Sequence, residues 1–504
     1  MPIPLFNSIA SWFLKKRIHQ IELFNKYPDE VQMELLYNLV DFAKNTEIGI
    51  RYEFSSIKNY EDYKKRVPII TYEDLEKTIK VCRKGVNNVL WPTPIRWFAK
   101  SSGTTNSKSK FIPVSKEALE GCHYKGGKDM LSLYYNNNPN SNLLTGKCLR
   151  LGGSQEMYQH GNTYFGDLSA IIIDNLPLWA EFSSTPSQKT SLIPKWEKKI
   201  KAIIKESKDE NVTSLAGIPS WMLVLLNKIL KETNSKNIND LWPELEVYFH
   251  GGINFMPYKN QFLELFSKKK INYYEIYNAS EGFFAIQDQN FSNDLLLMLD
   301  YGIFYEFIPV DSKYDDNNSI VPLSGVKKNI KYAIVISTNA GLWRYKIGDV
   351  VEFKSLNPYR IILSGRTRSF INAFGEELMV HNAEKAIFKA SIKSRVKIID
   401  YTVAPIYMNG DKKGTHEWFI EFNKNPSDME FFIKELDLAL KKENSDYEAK
   451  RYKNVTMEKP KVTLAPKNSF YKWLSKNNKL GGQHKIPRLF NDRKFIDELK
   501  NQID

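Results

Sequence analysis

Between residues 95 and 365, short apolar runs alternate with stretches of helical spacing. Runs such as 146-GKCLRLGG-153, 168-LSAIII-173, 245-LEVYFHGG-252, 271-INYYEIY-277 and 331-KYAIVIST-338 have the length of strands. This alternation constrains the fold more than any other feature and predicts an α/β architecture around at least one substantial sheet. After 359-YRIILSGR-366 the pattern changes to strand (397-KIIDYTVAPIY-407), strand (416-HEWFIEF-422) and helix (427-SDMEFFIKELDLALKKEN-444). A boundary near Ser364–Ser369 is therefore expected. It divides a large N-terminal part, 1–365, from a C-terminal α+β part, 366–504, whose size is typical of one domain. Upstream, residues 5–45 read as two or three helices. Thr71 reads as the N-cap of a helix with Glu73 and Asp74 in its first turn.

Composition excludes several classes. Hydrophobic content of 42% with 29 Phe and 27 Tyr belongs to a folded chain. Three cysteines without C-x-x-C spacing and seven histidines without an H-x-x-x-H pair argue against a disulfide framework and a zinc site. The net charge of +14 is spread through mixed stretches such as 196-WEKKIKAIIKESKDE-210, which reads as a solvated helix face. With no recognition motif present, nucleic acid is not an expected partner. Nor is a membrane, since no run approaches ~20 apolar residues. The basic cluster Lys15, Lys16, Arg17 follows the apolar N-terminal segment, the wrong order for a signal peptide, and a cytoplasmic protein is expected.

Four polar islands carry candidate chemistry. The first, 100-KSSGTTNSKSKFIP-113, resembles a phosphate loop, but the second Gly of a Walker A motif would fall on Lys108. Its flanks, Ile95–Ala99 and Lys110–Val114, read as strands, and the helix begins only after Ser115, which reads as its N-cap. In a strand–loop–strand setting, small residues turn amides and hydroxyls inward around phosphates while lysines add charge. The second island, 275-EIYNASEGFF-284, offers Ser280 and Glu281 at a strand's carboxyl end, a setting suited to Mg²⁺ bridging phosphates. The third, 341-GLWRYKIGDVVEF-353, places Asp349 before an apolar strand, where a carboxylate can accept two hydrogen bonds from a ribose diol. The fourth, 364-SGRTRSFINAFGEEL-378, offers Arg366 to ribose or phosphate. Taken singly, each also reads as ordinary architecture: an exposed turn, a helix cap, a hairpin turn, a charged surface turn.

Their fixed order resembles the adenylate-forming synthetases and ligases. More closely, the chain resembles the Gretchen Hagen family, the auxin-responsive acyl acid amido synthetases and their bacterial relatives. The likeness covers nearly the whole chain through 45-NTEIGIRYEF-54, 67-VPIITYEDL-75, 98-FAKSSGTTNSKSKFIPVS-115, 277-YNASEG-282, 343-WRYKIGD-349 and 483-QHKIPR-488. Ser107 stands where the family usually has Gly, and Ser369 where many adenylate-forming relatives carry Asp.

The resemblance implies a large N-terminal adenylation domain and a smaller, mobile C-terminal one. It also implies that ATP and Mg²⁺ are used to activate a small carboxylic acid as an acyl-adenylate, whose acyl group passes to an amine, typically an amino acid. By the same resemblance Ser101, Ser102, Gly103, Thr104 and Thr105 cradle the phosphates, with Lys108 or Lys110 lending charge. Glu281, helped by Ser280, holds Mg²⁺. Tyr277 and the turn Gly251, Gly252, Ile253, Asn254 flank adenine, Asp349 holds the ribose with Arg366 nearby, and Lys485 meets the phosphates when the C-terminal domain closes. The segments 217-GIPSWMLVLL-226 and 151-LGGSQEMY-158 are candidate walls of the acyl pocket, though apolar helical runs such as these more often form core. Coenzyme A as acceptor, and a basic binder without enzymatic activity, remain open.

Overall fold

The computed structural model of the protein describes residues 16–102, 109–152, 157–256, 258–266, 270–310, 319–366, 370–409, 412–454, 456–476 and 486–501. Among these, twelve strands form one mixed sheet. Its parallel half runs from Ser184–Thr185 through Lys147–Leu151, Val212–Gly217 and Val247–Gly251 to Asn272–Ala279. Asn272–Ala279 is the seam: it pairs parallel with Val247–Gly251 on one side and antiparallel with Gly282–Ile286 on the other. The antiparallel half continues through Leu295–Leu297, Tyr359–Arg366, Tyr345–Leu356, Lys331–Thr338, Ile303–Pro309 and Val321–Pro322.

Burial explains why apolar runs dominate. From Tyr332 to Thr338 every residue of the strand Lys331–Thr338 is buried, so both of its faces pack against protein. Each large aliphatic side chain so covered contributes roughly 1.5–3 kcal/mol. A four-stranded sheet lies apart, ordered Ser109–Val114, Trp97–Ser102, Thr163–Gly166 and Tyr158–His160. In the C-terminal part, Ile398–Ile406, Thr415–Phe422 and Lys461–Leu464 form a three-stranded sheet. The helices Val380–Lys393 and Met429–Glu443 pack against each other there.

Local signals translate directly at the helix starts. Thr71 caps Tyr72–Arg83, with its N–H donating to the Asp74 carboxylate at 2.8 Å. Ser115 caps the helix beginning at Lys116, its Oγ accepting the N–H of Ala118 at 2.9 Å. Two readings change. The run 168-LSAIII-173 is a helix, Leu168–Asp174, because a short apolar run carries no period that separates helix from strand. The stretch 196–210 contributes the helix Trp196–Ser207, but it is not a solvated face: Ile200, Ile203, Ile204 and Lys199 are buried.

Candidate active site

In the parallel half of the sheet, four strands end on the same side at Leu151, Gly217, Gly251 and Ala279, where open α/β sheets place their ligands. Gly251 pairs with Ile276, and a β-carbon there would lie 2.4 Å from the Ile276 carbonyl oxygen, so only glycine lets these strands close up beside Tyr277. The following residues Gly252 and Asn254 are exposed, while Ile253 is buried. The second island then turns at Ser280 and Glu281, both half-buried, between Asn272–Ala279 and Gly282–Ile286.

Three sequence-predicted residues converge at this seam. The Tyr277 hydroxyl donates to Asp349 Oδ2 at 2.6 Å, with both residues buried. In the antiparallel half of the sheet, Asp349 stands opposite Arg366 in register. Asp349 is not in a hairpin turn: it lies inside the long strand Tyr345–Leu356 and is 5% exposed. A carboxylate so placed, oriented by a phenol, can accept hydrogen bonds from a diol.

The first island is a hairpin, as its flanks predict. Trp97–Ser102 pairs antiparallel with Ser109–Val114, setting Ser101 opposite Lys110 and Ser102 opposite Ser109. Gly103, Thr104, Thr105 and Lys108, with Ser107, lie outside the described residues. Lys110 Nζ stands 5.9 Å from the centre of the Tyr72 ring, and the Tyr72 hydroxyl accepts the N–H of Phe111 at 2.9 Å. The helical segment after Ser115 ties this hairpin to the seam, because the N–H of Phe283, two residues beyond Glu281, meets Cys122 Sγ at 3.1 Å.

The turn Ser280–Glu281 fits Mg²⁺. This ion takes one or two carboxylates and draws its remaining ligands from phosphates and water, so it needs no protein cage. No group of three or more His, Cys, Asp or Glu poised for a metal occurs among the described residues.

Lys485 and His484 lie outside the described residues, and so does Ser369. The chain after Lys485 is anchored on the C-terminal sheet: Ile486 is buried, and Thr402 Oγ donates to the Pro487 carbonyl at 2.9 Å. The segment 217–226 enters the helix Pro219–Thr233, where Met222, Leu223, Leu225 and Leu226 are buried. Of 151–158, residues 153–156 lie outside the described set.

Sequence reasoning missed how two quoted blocks depend on each other. Arg344, fully buried, donates Nε and a terminal nitrogen to Glu306 at 2.9 and 3.0 Å. Its other terminal nitrogen reaches the carbonyls of Lys64 and Val67 at 2.9 and 2.7 Å. The Ile70 N–H donates to the Arg344 carbonyl at 3.0 Å, and the Lys346 N–H to Ile70 at 2.8 Å. The block 67–75 thus braces the strand that carries Asp349. No local sequence signal links residues so far apart.

A second brace holds the turn after the expected boundary. Glu376, fully buried, accepts the N–H of Ala373 and Phe374 at 3.0 and 2.6 Å and meets His416 Nε2 at 2.8 Å. That turn presses on the N-terminal part, with the Tyr258 hydroxyl donating to Ala373 O at 2.5 Å and Asn372 Nδ2 to Gly252 O at 2.9 Å.

Comparison with known proteins accords with this geometry. The chain matches the GH3 family N-terminal domain over residues 17–271, its central domain over 296–366 and its C-terminal domain over 380–494. It is 23% identical to indole-3-acetic acid-amido synthetase GH3.2 of Arabidopsis thaliana over 470 residues, 77% of this chain and 83% of that protein. It is 22% identical to jasmonoyl--L-amino acid synthetase JAR4 of Nicotiana attenuata over 417 residues, 68% of this chain and 69% of that protein. Among solved structures, AtGH3.15 acyl acid amido synthetase in complex with 2,4-DB superposes with a TM-score of 0.64 at 16% identity, covering 97% of this chain and 96% of the other. A 2-hydroxyisobutyryl-CoA ligase superposes with a TM-score of 0.57 at 13% identity, covering 95% and 92%. These structural likenesses speak to the fold.

Proposed function

This chain belongs to the GH3 family, and we propose that it is an ATP-dependent acyl acid amido synthetase acting through an acyl-adenylate. The observation that carries the reading is the seam at which the Tyr277 hydroxyl orients Asp349, opposite Arg366, beside the Ser280–Glu281 turn.

In the first step an acid carboxylate oxygen bonds to the α-phosphorus of ATP, and the α–β phosphoanhydride bond breaks to release pyrophosphate. In the second, an amine attacks the acyl carbonyl and AMP leaves. Neither step requires a nucleophile from the protein, so the residues act by positioning and by stabilising charge. Asp349 holds the ribose diol, and Tyr277 keeps its carboxylate aimed. Gly251, Gly252, Ile253 and Asn254 flank the adenine with Tyr277. Ser101, Ser102, Gly103, Thr104 and Thr105 cradle the phosphates, with Lys110 or Lys108 adding charge. Glu281, with Ser280, would hold Mg²⁺, which when bound offsets the negative charge of the phosphates. Lys485, carried by residues 366–504, supplies a mobile cation as that part closes.

Screening a library of small carboxylic acids for ATP- and Mg²⁺-dependent pyrophosphate release tests the reading. Release is expected with a subset of acids, followed by amide formation on adding amino acids. Absence of release with every acid would end it. No helix among the described residues is long and apolar enough to cross a membrane.

A further inference from the structure

Register in the parallel half of the sheet sets Arg150, Ala216, Phe249 and Tyr274 in one row across four neighbouring strands, with their side chains on the same face. The helix Lys125–Asn137 covers that face, but not along its whole width. At the Tyr274 end it closes down. The Tyr134 ring packs edge-on against Phe249 and Tyr274, with centres 5.9 and 5.1 Å apart. At the Arg150 end the cover stops. Ala216 is half-exposed although its strand is interior, and Gly217 and Ile218 beyond it are half-exposed too. Such access requires unfilled space above the sheet.

One wall of this groove is the helix itself. Gly127 is half-exposed, and a β-carbon built there would meet nothing within 4 Å. Tyr124 and Leu131, one turn to either side, share its stripe, and Leu131 packs against the aromatic cluster together with Ala216. The Tyr124 hydroxyl crosses to the helix Leu168–Asp174, the second wall, and donates to the Asn175 carbonyl at 2.6 Å. The floor is Arg150. Its Nε is buried and has no hydrogen-bond partner among the described residues. Burial, the largest influence, pulls this guanidinium below its ordinary value, while Cys148 and Glu181 pull it back. Other arginines withdrawn from water in this chain are matched by carboxylates: Arg17 by Asp129 and Asp300, Arg344 by Glu306, Arg451 by Asp437. No such contact with Arg150 occurs among the described residues, and a desolvated guanidinium left alone is costly.

We infer that this groove holds the acyl acid and that the acid is a dicarboxylate, whose second carboxylate pairs with Arg150. The inference rests on the amido synthetase reading and deepens it by naming the class of acid. The groove opens toward the strand ends at Gly217 and Gly251, the side on which the Ser280–Glu281 turn stands. One carboxylate of the acid lies at that end, where adenylation occurs, and the other reaches down the sheet face. Between the two, Ala216, Phe249 and Leu131 offer an apolar surface, which suits an aliphatic or aromatic spacer. The planar fork of a guanidinium matches a carboxylate bidentately. An acid with an apolar tail would bury Arg150 further and leave it unpaired, so the same residue that attracts a diacid selects against a monoacid.

The test is acid-dependent pyrophosphate release by the full-length enzyme with ATP and Mg²⁺. The probes are adipic, suberic and isophthalic acids, each beside its monomethyl ester, which keeps the spacer and loses one charge. For at least one spacer the diacid is expected to exceed its half-ester in kcat/KM by about tenfold or more, as for one charge-assisted bidentate contact. Arg150→Met should bring the diacid down to the level of its half-ester, and Arg150→Lys should recover part of the preference. Gly127→Leu fills the open space without strain in the helix and should raise KM for the acid more than KM for ATP. Half-esters turned over as well as diacids, or a preference that survives Arg150→Met, would overturn the inference. An acid KM unmoved by Gly127→Leu would overturn the placement of the acid in this groove, and this variant serves if Arg150→Met fails to fold. Absence of pyrophosphate release with every acid, mono- or dicarboxylic, would instead remove the reading beneath it.

Discussion

Arg344 and Asp446 both hold charge away from bulk water, and their surroundings differ in kind. Every arm of the Arg344 guanidinium is occupied, two by Glu306 and one by the carbonyls of Lys64 and Val67, while the Tyr60 hydroxyl completes Glu306 at 2.8 Å. Asp446 sits among charges of both signs, and its carboxylate accepts no hydrogen bond from a described residue. A fully satisfied buried ion pair is architecture, since it asks for nothing further. The half-buried Asp446 carboxylate is not closed off in that way. The comparison therefore separates residues whose loss unfolds the protein from residues whose loss disables it.

Five single substitutions press on that separation. The largest effect is expected for Arg344→Met, which strands Glu306 without its partner in the core. A stability loss of about 3–5 kcal/mol by denaturant unfolding is expected, and the double change with Glu306→Leu should recover much of it. A loss below about 1 kcal/mol would erase the architectural side of the comparison.

Next comes Glu417 in the C-terminal sheet. Burial alone would raise it, but hydrogen bonds from Lys500, Thr463 and Arg493 hold it down at about 2. A depressed carboxylate stabilises above its unfolded pKa, and that contribution drains away as pH falls from about 4.5 toward 2. Glu417→Gln should cost roughly 3 kcal/mol at neutral pH, with the gap to wild type narrowing across that window in thermal melts. A gap that stays constant would show that the carboxylate's charge is irrelevant there.

On the functional side, Asp349→Ala and Glu281→Ala are each expected to cut pyrophosphate formation by roughly 10²-fold while thermal stability changes little. A melting temperature that collapses along with activity would move Asp349 into the architectural class. Tyr277→Phe removes only the hydroxyl that aims Asp349 and should raise KM for ATP by about tenfold or less. An effect equal to that of Asp349→Ala would make the phenol a direct contact.

Much of the frame was legible before any coordinates. The caps at Thr71 and Ser115, the hairpin flanks around residue 103 and the strands at 247, 272 and 331 all follow from short-range patterns. The helix Leu168–Asp174 was not legible, because its apolar run is too short to show a period. Lys199 misled for a related reason: a lysine in a charged stretch reads as solvated, yet the helix turns it inward to Gly152.

At the site, sequence alone determined which residue types were on offer and in what order, since small residues, hydroxyls and carboxylates at strand ends carry their chemistry locally. Which of them meet was decided only by tertiary structure. The folded sheet brings Tyr277 to Asp349 although three strands separate theirs, and register sets Asp349 against Arg366. The packing of one helix on one sheet edge joins Asp446 to Lys100 and Asp167. Pairing across a sheet or between domains depends on contacts that only the folded chain supplies, so no stretch of sequence could encode it by itself.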